Sequence, residues 1–190
     1  MSSSAKAKKT TFQKLQQVVY PLQGVGQITD IVEMDFKGQK TLYYIIYLPV
    51  SDMTVKIPVD RAVEHGIRAI VPKEEAHAAL DLFTQEFEPI PADWKLRYQM
   101  NLDLLKKGSI EDIASVVRTL YARKKVKELP IMERKLYDTA LQLMVDEVSF
   151  SLDINTKEVE ELIFRKLEEE TDKSEDDEAI IPDDDNGDEK

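Results

Sequence analysis

Between residues 58 and 73 the apolar residues of this chain change their period, and few folds accommodate the change. Upstream, "QQVVYPLQGVGQITDIVEMDF" (16–36) is rich in β-branched residues and broken by Pro21, Gly24 and Gly26. "KGQK" (37–40) supplies a hairpin turn with Gly38 as pivot, and "TLYYIIYL" (41–48) returns as an aromatic, β-branched strand. "MTVKIPV" (53–59) adds a short strand that Pro58 confines to an edge or a strand end. Four or five short strands in so few residues predict a small barrel or strongly bent sheet of the SH3 or Tudor type.

From Lys73 onward the apolar residues recur at helical spacing. "KEEAHAALDLFTQ" reads as a short helix closed off by Pro89 and Pro91. Ser109, with Asp112 three residues on, caps a helix whose apolar face is Ile110, Ile113, Ala114, Val117, Leu120 and Tyr121. Pro130 opens the next helix, with Tyr137, Leu141, Met144 and Val148 inward, and Val159, Leu162, Ile163 and Leu167 mark a last one. The expected architecture is α+β in two domains: a Tudor-like β-barrel followed by an all-α helical domain.

"PADWKLRYQMNLDLLKKG" (91–108) carries two conflicting signals. Trp94, Leu96, Tyr98, Met100, Leu102 and Leu104 alternate as in a strand. Asp93 is a helix N-cap, Gly108 a C-terminal stop, and Leu, Met, Lys, Arg and Gln between them favour a helix. Helix is the expectation, with Trp94, Tyr98, Leu102 and Leu105 on one side and Trp94 in the first turn.

The net charge of −11 needs locating before it bears on partners. Residues 168–190 hold thirteen acidic residues against Lys173 and Lys190, so residues 1–167 are neutral overall. Within them, 92–135 holds 11 Lys and Arg against 6 Asp and Glu. The acidity is a tail and the body has a basic segment. At physiological salt, screening over about 8 Å lets an acidic tail coexist with an anionic partner elsewhere on the surface.

Enzyme classes find little support. There is no cysteine, and His65 and His77 are the only histidines. Neither a phosphate-binding P-loop, a nucleophile elbow nor an H-E-x-x-H helix is present, and "GVG" (24–26) lacks the third glycine of a dinucleotide site. No catalytic residue, metal or cofactor is expected. The start "MSSSAKAKKTTFQ" has no apolar stretch of a secretory signal, and no apolar run approaches membrane-spanning length. A cytoplasmic protein is the expectation.

Trp94 and the cations around it carry the chemistry instead. A lone tryptophan at a helix entrance most simply caps a helical bundle. Arg118, Arg123, Lys124, Lys125 and Lys127 most simply form a solvated face. Together, on consecutive helices joined at Gly108, they suggest an aromatic wedge flanked by phosphate-binding cations, as in minor-groove binders.

"VVYPLQGVGQITDI" (18–31), the "YYIIYL" strand and the "TVKIPV" edge resemble the polymerase-interacting module of the CarD/CdnL transcription regulators, which the transcription-repair coupling factor shares. "DWKLRYQMNLDLLKKG", "IASVVRTLYARKK" and "LPIMERKLYDTALQLMVDE" resemble the helical domain of that family, so the likeness covers roughly residues 14–152. It implies a barrel that binds the β subunit of bacterial RNA polymerase and a helical domain that touches promoter DNA at the upstream edge of the melted bubble. By resemblance Trp94 is the minor-groove wedge, and Arg97, Arg123 and Arg134 fall on basic positions near the phosphates. Lys95, Arg118 and Lys124 complete the expected DNA-binding set. On the polymerase side the resemblance points to Lys56, which replaces an arginine, to Met34, where another arginine is common, and to Phe36. Leu96 and Gln99 stand where the family often has basic residues.

The expected domains are an arm over 1–13, the polymerase-interacting domain over 14–72, the DNA-binding domain over 73–167 and a disordered acidic tail over 168–190. The expected function is stabilisation of the open promoter complex by a monomer without strong DNA sequence preference. The alternative is an adaptor whose helical domain binds a protein, with Trp94 as a hot spot.

Overall fold

The computed structural model describes residues 10–36, 38–85 and 90–175. The chain divides into two compact units, Met1–Ile70 and Val71–Lys190.

The first unit is an antiparallel sheet of five strands: β1 (Gln17–Tyr20), β2 (Gly24–Phe36), β3 (Gln39–Leu48), β4 (Met53–Pro58) and β5 (Arg68–Ala69). Their order is β4-β3-β2-β1-β5, the Tudor-like arrangement expected, with β4 and β5 at its edges. β2 and β3 form the long hairpin through Gly38, whose φ of +78° suits a residue without Cβ. The ladder slips between Ile28 and Asp30, where Thr29 Oγ1 donates to the carbonyl of Ile45 at 3.1 Å. This bulge bends β2 over the core. Gly26 is needed for contact: a Cβ there would lie 2.8 Å from Leu48 Cδ2 and 2.9 Å from Ile46 Cγ2.

The core of this unit collects Val18, Ile28, Tyr44, Ile46, Leu48, Ala62 and Ile67. Phe12 belongs to it too, which corrects the arm expected over 1–13. Its ring packs 5.7 Å from that of buried Tyr44, whose hydroxyl accepts from the Phe12 N–H at 3.0 Å. An aromatic side chain gains more by burial than an exposed arm allows, so the folded unit takes in Phe12. The rest of the arm, residues 1–9, lies outside the described residues.

The second unit contains α1 (Lys73–Asp81), α2 (Trp94–Lys107), α3 (Ile110–Val126), α4 (Ile131–Leu152) and α5 (Thr156–Glu175). Ser109 Oγ accepts from the Asp112 N–H at 3.1 Å, as the capping pattern predicts. Every apolar α3 residue assigned inward from the sequence is buried, and Val116 joins them. α4 buries Tyr137, Met144 and Val148, with Leu141 half-buried against the same core. Glu147 and Ser151 of α4 hold the backbone of Val71 through bonds of 3.2 and 2.8 Å, fixing where this unit begins.

α5 corrects the other end. The tail was expected from residue 168, yet the helix runs on to Glu175. Fully buried Leu167 anchors it, and Glu and Lys propagate a helix already nucleated. The remainder of the acidic tail, 176–190, lies outside the described residues, as does Pro89. Among the described residues no helix is long and apolar enough to cross a membrane.

Candidate nucleic-acid interface

The conflict over residues 91–108 resolves as α2. The Asp93 carboxylate accepts from the Lys95 N–H at 2.8 Å, and Gly108 ends the helix with φ +75°. Both terminal signals are satisfied locally, and the alternating pattern is overridden. Trp94 occupies the first turn with 42% of its surface exposed. The Lys95 ammonium stands 5.9 Å from the centre of its ring, so a cation accompanies the indole.

The buried face of α2 is not quite the one its apolar residues suggest. It follows Arg97, Asn101 and Leu105, while Tyr98 and Leu102 flank it half-buried. Arg97 is 2% exposed and its partner Glu133, at the third position of α4, is fully buried. Arg97 Nε donates to Glu133 Oε1 at 2.7 Å and Nη2 to Oε2 at 2.9 Å. Nη1 donates to the carbonyls of Pro91 at 2.6 Å and Ala92 at 3.1 Å. Arg97, expected beside the phosphates, is placed in the interior. Its guanidinium is out of water and committed to a carboxylate and two carbonyls.

Arg123, also expected beside the phosphates, is buried too. It continues the line of Val116 and Leu120 along α3 and is 6% exposed, facing the interior and not a phosphate backbone in solvent. Arg118 is half-buried and donates from Nη1 to the carbonyl of Leu82 at 2.8 Å, where it ties α3 to the turn after α1. The cations of the expected set that stand exposed are Lys95, Lys124 and Arg134.

Those groups lie along connected elements. The Arg97–Glu133 pair holds the first turns of α2 and α4 together, and Arg134 is next in sequence to Glu133. Arg134 pairs with Glu128 and lines a groove of about 430 Å³ with Lys124, Leu129, Tyr137 and Asp138. The Lys124 ammonium lies 5.2 Å from the centre of the Tyr137 ring. Burial, then the neighbouring Tyr121, pushes the Tyr137 phenol above its ordinary pKa. The arrangement is a protruding indole with Lys95 beside it, and two further exposed cations on neighbouring helix ends.

On the sheet unit, Lys56 is exposed on edge strand β4, opposite Ile45. Met34 sits on β2, opposite Thr41, with β3 between it and β4. Ile45 pairs with Asp30, four residues from Met34, so the two are separated along the sheet by about 13 Å as well as by a strand. Phe36 ends β2, and its side chain is outside the described set. Lys56 and Met34 therefore do not occupy neighbouring positions on the sheet.

Sequence reasoning did not single out Glu133. The available signal was the run Arg97, Asn101, Leu105 at intervals of four, which lines up a buried face with an arginine at its head.

Residues 12–71 match the family model described as CarD-like/TRCF RID domain, and residues 78–164 match the one described as CarD, C-terminal domain. A Bacillus subtilis (strain 168) protein named "Putative transcription factor YdeB" is 33% identical over 148 residues, covering 78% of this chain and 97% of that protein.

Proposed function

The chain belongs to the CarD family of transcription regulators, and from that premise we propose that it docks on the β subunit of RNA polymerase and steadies melted promoter DNA. The sheet unit makes the polymerase contact by strand addition at β4, whose outer edge carries Lys56. The helical unit meets DNA at the upstream edge of the bubble, with Trp94 in the minor groove and Lys95, Lys124 and Arg134 toward phosphates. The observation that carries this reading is the half-exposed indole at the start of a capped helix, with a lysine over its ring. Inserting such a ring offsets unstacking worth about a few kcal/mol, enough to bias a near-balanced opening step. Tethering to polymerase lets the DNA unit work with little affinity of its own.

Competitor-challenged open complexes test it. The protein should lengthen their half-life on promoters of unrelated sequence. It should bind free duplex weakly, with an affinity that falls as salt rises. An unchanged half-life at saturating protein overturns the reading.

A second reading has its own support. Leu96 and Met100 on α2 and Ile131 and Met132 at the start of α4 are exposed, apolar side chains that suit a protein partner with Trp94 as an anchor. An adaptor of this kind shows no salt-dependent DNA binding and leaves open-complex lifetime unaltered.

A further inference from the structure

We propose that Arg97 and Glu133 form a positioning clamp that sets the direction of the Trp94 ring; the inference rests on the wedge reading above. Trp94 lies two residues beyond Ala92 and three before Arg97. The Arg97 guanidinium binds the chain on one side of the indole, through the carbonyls of Pro91 and Ala92. Its own helix carries it on the other side. The same guanidinium is fixed to α4 by two bonds to Glu133. Residues 91–97 are thus closed into a loop around one buried fork of donors, with Trp94 at its outer side.

Trp94 keeps 42% of its surface exposed, so the direction of its ring also depends on how the backbone beneath it is held. Stability alone does not call for this pair. Apolar residues of similar volume often replace a buried ion pair at no net loss. They cannot, however, donate to two carbonyls preceding the tryptophan. Lysine cannot substitute either, since a compact ammonium lacks the planar fork that meets a carboxylate and the carbonyls together. The distinctive contribution of Arg97 is geometric, and Arg97 and Glu133 are positioning residues that meet neither DNA nor polymerase.

Trp94 is the only tryptophan, so its fluorescence reports on this loop alone. The test is the double variant Arg97→Met/Glu133→Leu in the full chain, with urea unfolding, time-resolved indole anisotropy and open-complex half-life at saturating protein. The expected result is a cooperative transition, a new nanosecond depolarisation of the indole, and a half-life shortened at least about fivefold. A cooperatively folded double variant with native anisotropy and native half-life overturns the clamp. Should the double variant not fold, Glu133→Gln keeps the volume while breaking the bidentate contact, and the same two readouts decide. Failure of the wedge is distinguishable: Trp94→Ala then leaves the half-life unaltered, while the anisotropy of the clamp variants still reports whether the pair orders the ring.

Discussion

Replacing Trp94 with alanine separates a wedge from a packing residue, because the two roles predict different magnitudes. About three-fifths of the residue is buried, since 42% stays exposed. A fully buried tryptophan removes up to about 250 Å² from water, so Trp94 accounts for about 150 Å². At about 25 cal/mol per Å² that is roughly 3.7 kcal/mol. Alanine keeps the Cβ, and an unfolded chain already hides about a tenth to two-fifths of such surface, which brings the loss to about 2 kcal/mol. For a unit stable by about 5 kcal/mol or more, the variant remains roughly 99% folded. Any change in promoter-complex lifetime is then not a consequence of unfolding. The assay pairs urea unfolding with the half-life of heparin-challenged open complexes at saturating protein. A ring contributing about 1.4 kcal/mol to the open state shortens that half-life about tenfold on removal. A folded variant with native half-life refutes the wedge, and a stability loss of about 4–5 kcal/mol returns the ring to the core.

Three further substitutions test other parts of the account. Burial raises the pKa of Asp146 against an opposing bond from Gln142, and its Oδ2 meets no hydrogen-bond donor among the described residues. A raised folded-state pKa means that its stabilising contribution is complete below the unfolded value of about 3.9 and is lost as pH rises through the folded value. Asp146→Asn should therefore melt higher than the parent at pH 7, with the gap closing below about pH 4; a constant gap across that range refutes the burial argument. Asp153 follows α4 with φ +60° in the left-handed region, where its charge also opposes the helix dipole. Asp153→Gly should gain about 0.5–1 kcal/mol in urea unfolding, and a loss would show that the aspartate has a role beyond the turn. Lys56→Glu should leave folding unchanged but weaken capture of polymerase, by a margin that shrinks as salt is raised. Unaltered capture at low salt would move the docking surface away from β4.

Local signals predicted much of this molecule. The β2–β3 hairpin was legible because Gly38 and the flanking β-branched runs act over a few residues. The start of α3 was legible from Ser109 and Asp112 for the same reason. Residues 91–108 gave strand and helix patterns together, and there the caps at Asp93 and Gly108 were the better guide. Phe12 and residues 168–175 were misjudged because composition describes a segment without its neighbours. Phe12 folds against Tyr44, 32 positions away, and α5 extends from an anchor at Leu167.

The sequence by itself determined the change from sheet to helices, the caps, and the placing of one tryptophan at a helix entrance beside a lysine. Each depends on spacing within a few turns, which backbone geometry converts directly into structure. Only the tertiary structure decided which cations face solvent. Arg97 and Lys95 are two positions apart with the same formal charge, yet one pairs with Glu133 in the interior and the other stands over the indole. A charged side chain enters the interior only where a distant part of the chain brings it a counter-charge and acceptors, and no local pattern encodes that meeting.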